Sequence, residues 1–273
     1  MLAPVSVQAF TGALDLLTSP TVAFAISPQK LKAAYGGNAM RLRSDGSGSP
    51  ESNFGFTGAG DLDISAITAW LTSTSGSNAY GRTYYDQSGN ARDAGQSTAA
   101  NQPLFAAGSL SRGQFTFDGT NDCLDTASWS LSQNFTVWTV LDVASVSTLS
   151  YAAGTLGSTP TFAGIYKADG GGVGGYFGTS ANHPTAAYSA GVLSWSCYHV
   201  NGASSSLVFN GTASGTLNLG TTGINGGWRV GGRFDTVRWN GKIVEQIIFA
   251  GDATALGGWS AFLANRKAYY SLP

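Results

Sequence analysis

The segment LSWSCYHV, residues 193–200, alternates regularly between two sets of side chains. Leu193, Trp195, Cys197 and His199 fall on one face of an extended chain, and the residues between them fall on the other. Successive side chains of a β-strand point to opposite faces, so this period of two predicts a strand with a distinct environment on each side.

The same period recurs from Gly81 onward, and it predicts a chain built mainly from short strands. The other candidate strands are residues 82–85, 115–117, 136–141, 164–166, 174–177, 206–209, 228–230 and 243–249. Gly, Asn or Asp separates most of them, as in strands joined by tight turns.

Three segments have helical features instead. Residues 64–71 and 252–270 carry apolar side chains at helical spacing, and residues 28–35 follow Ser27 as a candidate N-cap and stop at Gly36. We therefore expect short N-terminal helices and one C-terminal helix laid against the strands.

The composition agrees with a globular all-β protein. The 273 residues are 42% apolar and only 11% charged, with a net charge of −1. This balance gives no general basic surface for nucleic acid, and no uncharged apolar stretch approaches the ~20 residues of a membrane helix. We expect neither nucleic-acid binding nor membrane insertion.

No Pro-rich or charged linker divides the chain. We expect one elaborated β-sandwich domain over residues 1–273, with an N-terminal elaboration (1–80), a sandwich core (81–250) and the C-terminal helix (252–270).

Two pairs of acids could in principle serve a glycosidase, which needs two facing carboxyl groups. These are Asp86 with Asp93, and Asp118 with Asp122. Both pairs lie in turn-rich strings, where Asp side chains commonly accept hydrogen bonds from nearby backbone amides, so a turn-building role is the alternative. Glu245, within a predicted strand, is either an edge charge or a buried acid with a partner.

Other chemistry is weakly indicated. His183 and His199 lie in no cluster with ligand spacing, and Cys123 and Cys197 are typical of buried free thiols. No nucleophile elbow or phosphate loop occurs. The sequence predicts no catalytic residue, no metal site and no cofactor.

Aromatic side chains offer a different kind of site, because they can stack on sugar rings. Trp228 and Trp239 are flanked by Gly or Asn residues and lie near several arginines, so we expect them to be accessible. Together with polar loop residues they complete the predicted carbohydrate-binding set: Asp86, Asn90, Asp93, Trp228, Arg233 and Trp239.

The string RTYYDQSGNARD, residues 82–93, resembles the "TWYDQSGNGND" segment of concanavalin A-like sandwiches found in many phage particle proteins. The same segment occurs in the catalytic domain of fungal α-L-arabinofuranosidase B. Residues 23–31, 39–43, 99–103 and 117–122 are similar to further strings of that family. The resemblance covers about residues 12–125 and then fades to a generic laminin-G pattern; it implies an all-β, concanavalin A-like jelly-roll β-sandwich.

The resemblance implies an arabinofuranosidase only if the catalytic carboxyl groups are present. The nucleophile of that enzyme group is a Glu in the second half of the domain, whereas the corresponding residues 135–170 contain no Glu and only two acids, Asp142 and Asp169. Fold alone does not imply function. We therefore expect recognition rather than catalysis.

The expected role is a carbohydrate-binding fibre or spike protein of a phage or phage-like particle. It would recognise host surface or capsular polysaccharide as a homo-oligomer beside other particle proteins. Because the N-terminal residues lack the features of a secretory signal, we expect synthesis in the host cytoplasm and a place on the virion surface. Two alternatives stay open: an arabinofuranosidase-like glycoside hydrolase, and a particle decoration protein that binds no sugar.

Overall fold

The computed structural model describes residues 10–106, 112–157 and 163–273. Its strands are β1 Val22–Ile26, β2 Met40–Ser44, β3 Glu51–Phe54, β4 Ala79–Tyr84, β5 Ala94–Gly95, β6 Leu104–Ala106, β7 Gln114–Asp118, β8 Leu124–Asp125, β9 Phe135–Leu141, β10 Ser150–Thr155, β11 Gly164–Lys167, β12 Gly172–Tyr176, β13 Ser180–Ala187, β14 Ser194–Val200, β15 Ser205–Phe209, β16 Thr212–Leu217, β17 Trp228–Val230 and β18 Asn240–Ala250. The α-helices are α1 Ile64–Ser73 and α2 Trp259–Tyr270, and a 3₁₀ turn covers Ala13–Leu16. The predicted all-β class with short N-terminal helices and one C-terminal helix is confirmed.

All strand pairs are antiparallel, and they form two arms. One arm runs from β18 through β9, β14 and β15 to β16, with β1 paired to the other edge of β18. The second arm runs from β4 through β5, β8, β17, β10, β11 and β12 to β13. Strands β6 and β7 join β4 to β18 and so connect the arms.

The two arms face each other across one apolar core. Val137 of β9, Ile165 of β11 and Val230 of β17 are all buried in the same cluster. Since these strands belong to different arms, the chain is a sandwich, as a jelly roll requires. We call the β9–β14–β18 arm the helix-covered sheet and the β10–β13, β17 arm the open sheet.

A second apolar cluster lies on the far side of the helix-covered sheet, beneath α2. Trp138 stacks on Trp195 with ring centres 5.1 Å apart and meets Phe262 of α2 edge-on at 5.5 Å. Along β14, Trp195 and Cys197 lie in this cluster, while Tyr198 lies in the core between the sheets. The alternation predicted from residues 193–200 therefore separates two buried faces. None of the described helices is long and apolar enough to cross a membrane.

Glu245 is a buried acid with a partner, which is one of the two alternatives that the sequence leaves open for it. Neither Glu245 nor Arg266 of α2 has exposed side-chain surface, and their charged atoms are 2.8 Å apart. The carboxylate also accepts hydrogen bonds from Ser27 Oγ (2.7 Å), Trp138 Nε1 (2.9 Å) and the Tyr270 hydroxyl (3.0 Å). Four donors satisfy the buried charge, as burial of a carboxylate requires.

The expected helix over residues 28–35 is wrong. Ser27 Oγ donates to Glu245 and also accepts from Gln29 N at 3.0 Å, but the residues after it form no helix. The backbone amides of Lys30 and Leu31 donate to Gly60 O (2.8 Å) and Gln87 Oε1 (2.8 Å). Tertiary hydrogen bonds thus take the amides that a helix would have used, and local propensity is overridden.

Candidate functional site

The outer face of the open sheet has no helix or sheet packed on it among the described elements. A cross-strand row runs over this face, formed by Gly95, Asp125, Arg229, Gly154, Gly164, Tyr176 and Ser180 on neighbouring strands. Cross-strand partners share a face of a sheet, so these residues all point the same way. The row places aromatic, charged and glycine residues side by side.

Tyrosines from three adjacent strands form the centre of this surface. Tyr151 and Tyr166 make a cluster separate from the main core, against which Tyr176 and Phe234 pack. The rings of Tyr151 and Tyr166 lie 5.3 Å apart, and the Tyr166 hydroxyl donates to Asn182 Oδ1 at 2.6 Å. We call Tyr151, Tyr166, Tyr176, Phe234 and Arg233 the tyrosine face.

Glycines beneath the rings allow this arrangement. A Cβ atom on Gly164 would come within 2.9 Å of a Tyr151 ring carbon, and one on Gly174 within 2.6 Å of Tyr166 Cζ. Glycine is found where another group must approach the backbone closely. The rings therefore lie directly on the backbone of the sheet and have little freedom to move.

Two arginine–aspartate pairs border the tyrosines. Arg229 binds Asp125 with two hydrogen bonds of 2.6 Å each, and its Nη1 donates to Arg233 O at 2.9 Å. Arg233 pairs with Asp235 at 2.8 Å, and its guanidinium carbon lies 4.5 Å from the centre of the Tyr151 ring. The pairs hold hydrogen-bonding groups in fixed positions at the edge of an aromatic surface.

The electrostatics keep these groups charged. Burial alone would raise the pKa of Asp235, but hydrogen bonds from Arg233 and from the Val237 amide outweigh it and hold that pKa below its usual value. Burial alone would lower the pKa of Arg229, and the Asp125 carboxylate outweighs it. The surface thus presents a carboxylate and guanidinium groups near neutral pH, rather than a proton-donating acid at Asp235.

Of the predicted residues, Arg233 alone belongs to this surface. Trp228 and Trp239 have no exposed surface, so the expectation that they are accessible is wrong. Trp228 lies in β17, where the alternation sends it and Val230 into the core and Arg229 outward. Trp239 is also in the core and donates to Asp142 O at 2.9 Å.

The loop between β4 and β5 brings Asp86, Asn90 and Asp93 together. Asp86 is 5% exposed, and its carboxylate accepts hydrogen bonds from Ala25 N (2.9 Å) and Arg92 N (3.0 Å). Asn90 Nδ2 donates to a β1 carbonyl at 2.8 Å, and Asp93 Oδ1 accepts from Asp86 N at 2.8 Å. These bonds give the loop a structural role, and its binding of sugar stays a prediction.

Sequence reasoning missed the tyrosines, although a signal for them exists. Gly164 and Tyr166, and then Gly174 and Tyr176, repeat the same Gly-x-Tyr spacing in consecutive strands. Such a repeat places glycine and tyrosine on one face of each strand. Both copies lie in segments that the sequence predicts as strands, residues 164–166 and 174–177, so the shared spacing could have indicated these tyrosines.

No protein-family model matches the chain, and no curated protein matches it. Solved structures do. The chain is similar to an arabinofuranosidase complexed with arabinofuranosyl-α-1,2-xylobiose, with a TM-score of 0.69 and 13% identity. It is similar also to a GH54 α-L-arabinofuranosidase soaked with a cyclic sulfate inhibitor, with a TM-score of 0.70 and 13% identity.

Each alignment covers 93% of this chain and 65% of the other, so the chain spans about two thirds of those enzymes. At this level of identity the similarity concerns the fold, and it confirms the arabinofuranosidase resemblance that the first half of the sequence indicates. The chain has a fold similar to that of an α-L-arabinofuranosidase. On the outer face of one sheet, Arg233 and Phe234 pack over the buried Tyr151 and Tyr166.

Proposed function

We propose that this protein binds a carbohydrate on the tyrosine face. The observation that carries the proposal is the combination of Tyr176 and Phe234, both partly exposed, with two arginine–aspartate pairs on the outer face of the open sheet. A sugar ring offers C–H groups that stack on an aromatic ring, and hydroxyls that bond to charged groups beside it. The glycines beneath keep the surface flat and preorganised, which lowers the entropic cost of binding.

The experiment is calorimetric titration of the protein with arabinan and arabinoxylan oligosaccharides and with purified host surface polysaccharides. We expect Tyr176→Ala to weaken binding about tenfold or more, since buried aromatic contacts dominate recognition. Tyr35→Ala is the matched control, because Tyr35 is a partly exposed aromatic whose hydroxyl bonds to Asn38 O outside this face. Equal affinities of both variants would contradict the proposal.

Hydrolysis is a second candidate function, favoured by the two carboxylates on the same surface. Asp125 and Asp235 are linked through Arg229 and Arg233, and the similar folds belong to arabinofuranosidases. The lowered pKa of Asp235 fits a nucleophile or base and does not fit a general acid. Release of 4-nitrophenol from 4-nitrophenyl α-L-arabinofuranoside, lost in Asp235→Asn, would support hydrolysis; binding without release would favour recognition alone.

For its biological place, we propose a fibre or spike of a phage or phage-like particle that attaches to host polysaccharide. The strings at residues 82–93 and 117–122, which resemble those of phage particle proteins, support this role. Repeated subunits would raise the effective affinity of weak sugar sites. Binding of the purified protein to host cells should disappear when the capsule is stripped, and sedimentation should give an oligomer; retained binding would contradict the polysaccharide partner.

A further inference from the structure

A second polar surface lies outside the tyrosine face, in an open cavity of about 660 Å³. Its floor is the cross-strand row of Arg43 in β2, Tyr80 in β4 and Leu104 in β6. The guanidinium carbon of Arg43 lies 4.7 Å from the centre of the Tyr80 ring. Asp118 and Asp122, on the turn that follows β7, form part of the wall.

The two wall carboxylates each use one oxygen to build their turn. Asp118 Oδ1 accepts hydrogen bonds from Thr120 N (2.7 Å) and Asn121 N (3.2 Å), and Asp122 Oδ2 accepts from Asp118 N (3.1 Å). The turn-building alternative for these acids is therefore confirmed. Among the described residues, Asp118 Oδ2 and Asp122 Oδ1 have no hydrogen-bond partner, and neither acid has an ion pair within 4.0 Å.

The other charged groups of the cavity are already engaged. Arg43 Nε donates to Gln102 Oε1 at 2.6 Å, and Asp45 accepts from the Ser77 and Asn78 amides at 2.7 and 2.9 Å. Asp122, by contrast, is 7% exposed, and its carboxylate has no ion pair within 4.0 Å among the described residues. Burial, together with the Asp118 charge, raises the pKa of Asp122 to about 6.

We infer that this cavity binds a primary ammonium group of an amino sugar within the glycan. An ammonium group has three N–H donors and a positive charge, which match two carboxylates that line one cavity and each keep an oxygen without a hydrogen-bond partner among the described residues. The Tyr80 ring beside them can contact the sugar that carries the amine. A divalent metal is a poorer fit, because no group of three or more Asp, Glu, His or Cys side chains converges among the described residues.

This inference rests on the proposed carbohydrate function, and its test separates the two. The probes are a chitosan hexamer, which carries free amines, and the fully N-acetylated hexamer, titrated into the intact protein at pH 7.5. Acetylation removes the charge of each nitrogen and also adds an acetyl group, so a charge variant of the protein is needed to separate the two effects. We expect the amine form to bind at least about tenfold more tightly, because one strong charged contact changes the affinity by about a factor of ten.

Asp122→Asn is the decisive variant, because Asn keeps an oxygen that can accept from the Asp118 amide while losing the charge. We expect it to abolish the preference for the amine probe. Asp169→Asn is the control, since Asp169 is an exposed acid on the β11–β12 connection that does not line the cavity. It should leave the preference unchanged.

The pH dependence of amine-probe binding is a second readout of the role of Asp122. Below about pH 6 the Asp122 carboxylate becomes protonated, so binding of the amine probe should weaken as the pH falls from 7.5 to 5. The other charged or titratable groups lining the cavity are Asp118, Asp45, Arg43 and Tyr80, and hydrogen bonds from Asn78 and Ser77 hold the pKa of Asp45 below its usual value. Protonation of the probe's own amines runs the opposite way and would strengthen binding.

The titrations distinguish failure of the cavity inference from failure of the proposed function. Equal affinity for the two hexamers, or an unchanged preference in Asp122→Asn, overturns the cavity inference. If neutral oligosaccharides still bind through Tyr176 in that case, the proposed function stands alone. If no glycan binds the wild-type protein at all, both fail.

Discussion

The two outer faces of the sandwich differ in how far their charged residues are buried. The face of the helix-covered sheet is closed by α2, and its one buried acid, Glu245, is matched by Arg266 inside the apolar cluster. The tyrosine face keeps its charges at the rim, where the Arg229 and Asp125 side chains are 13% and 31% exposed. The same kind of ion pair is thus fully buried on one face and partly exposed on the other.

Removing one partner of the buried pair should have the largest effect. Arg266→Met leaves Glu245 as an uncompensated buried charge, which costs about 3 to 5 kcal/mol of unfolding free energy. The measurement is urea denaturation followed by tryptophan fluorescence. Arg229→Met on the tyrosine face is the comparison, and we expect it to cost about 1 kcal/mol or less.

If the two arginine variants lose equal stability, the contrast between the faces is wrong. A double variant, Glu245→Leu with Arg266→Met, sharpens the point further. Because it removes both charges, it should recover much of the loss caused by Arg266→Met alone.

A methyl group under the tyrosine face should have an intermediate effect. In Gly174→Ala the new Cβ would lie 2.3 Å from Asn182 Oδ1 and 2.6 Å from Tyr166 Cζ, so both side chains must move. We expect a loss of about 1 to 3 kcal/mol from overpacking, together with weaker glycan binding.

Gly172→Ala, in the same strand, is the matched control. Its Cβ would meet Ala168 Cβ at an ordinary contact distance of 3.5 Å. Stability and affinity close to wild type are expected there, and equal damage in both variants would show that strand glycines act through chain flexibility instead.

The smallest effects concern two aspartates whose pKa values shift in opposite directions. The pKa of Asp122 is raised to about 6, so its ionisation destabilises the fold above that pH. Asp122→Asn should therefore stabilise the protein by about 1 kcal/mol at pH 7.5 and have little effect at pH 4.

Ionisation of Asp235 affects the stability of the fold in the opposite direction. Its pKa is lowered, so its ionised form adds stability that is present near neutral pH and lost as the pH falls through the folded-state pKa. Asp235→Asn should lower the melting temperature slightly at pH 7.5 and not at the acid end of the titration. Thermal melts of the two variants across the pH range test both signs, and curves that move together would contradict the assignment.

Much of the fold follows from local periodicity. Strands β9, β14 and β18 were predicted close to their observed bounds, because each carries a continuous alternation over seven or more residues. Strand β1 was missed because all five of its residues are apolar, so its sequence shows no alternation of apolar and polar side chains. The helix expected after Ser27 is absent because the Lys30 and Leu31 amides donate to Gly60 O and Gln87 Oε1, which lie far away in the sequence.

The candidate site could be predicted only in part, for a related reason. Residues 228–230 were assigned correctly to a strand, but the sequence alone could not say which of Trp228 and Arg229 faces outward. A one-residue change of register exchanges every inward and outward side chain. The choice depends on the pairing of Arg229 with Gly154 and Asp125, which is a property of the assembled sheet.

The Glu245 network also has a consequence for the order of folding. Its donors come from Ser27, Trp138, Arg266 and Tyr270, which lie on segments up to 218 positions away from Glu245 in the sequence. Until α2 docks, β18 carries an unmatched negative charge in what will become the interior, and closing the sheet around it is unfavourable. We therefore expect α2 docking and closure of this sheet to occur in one cooperative step.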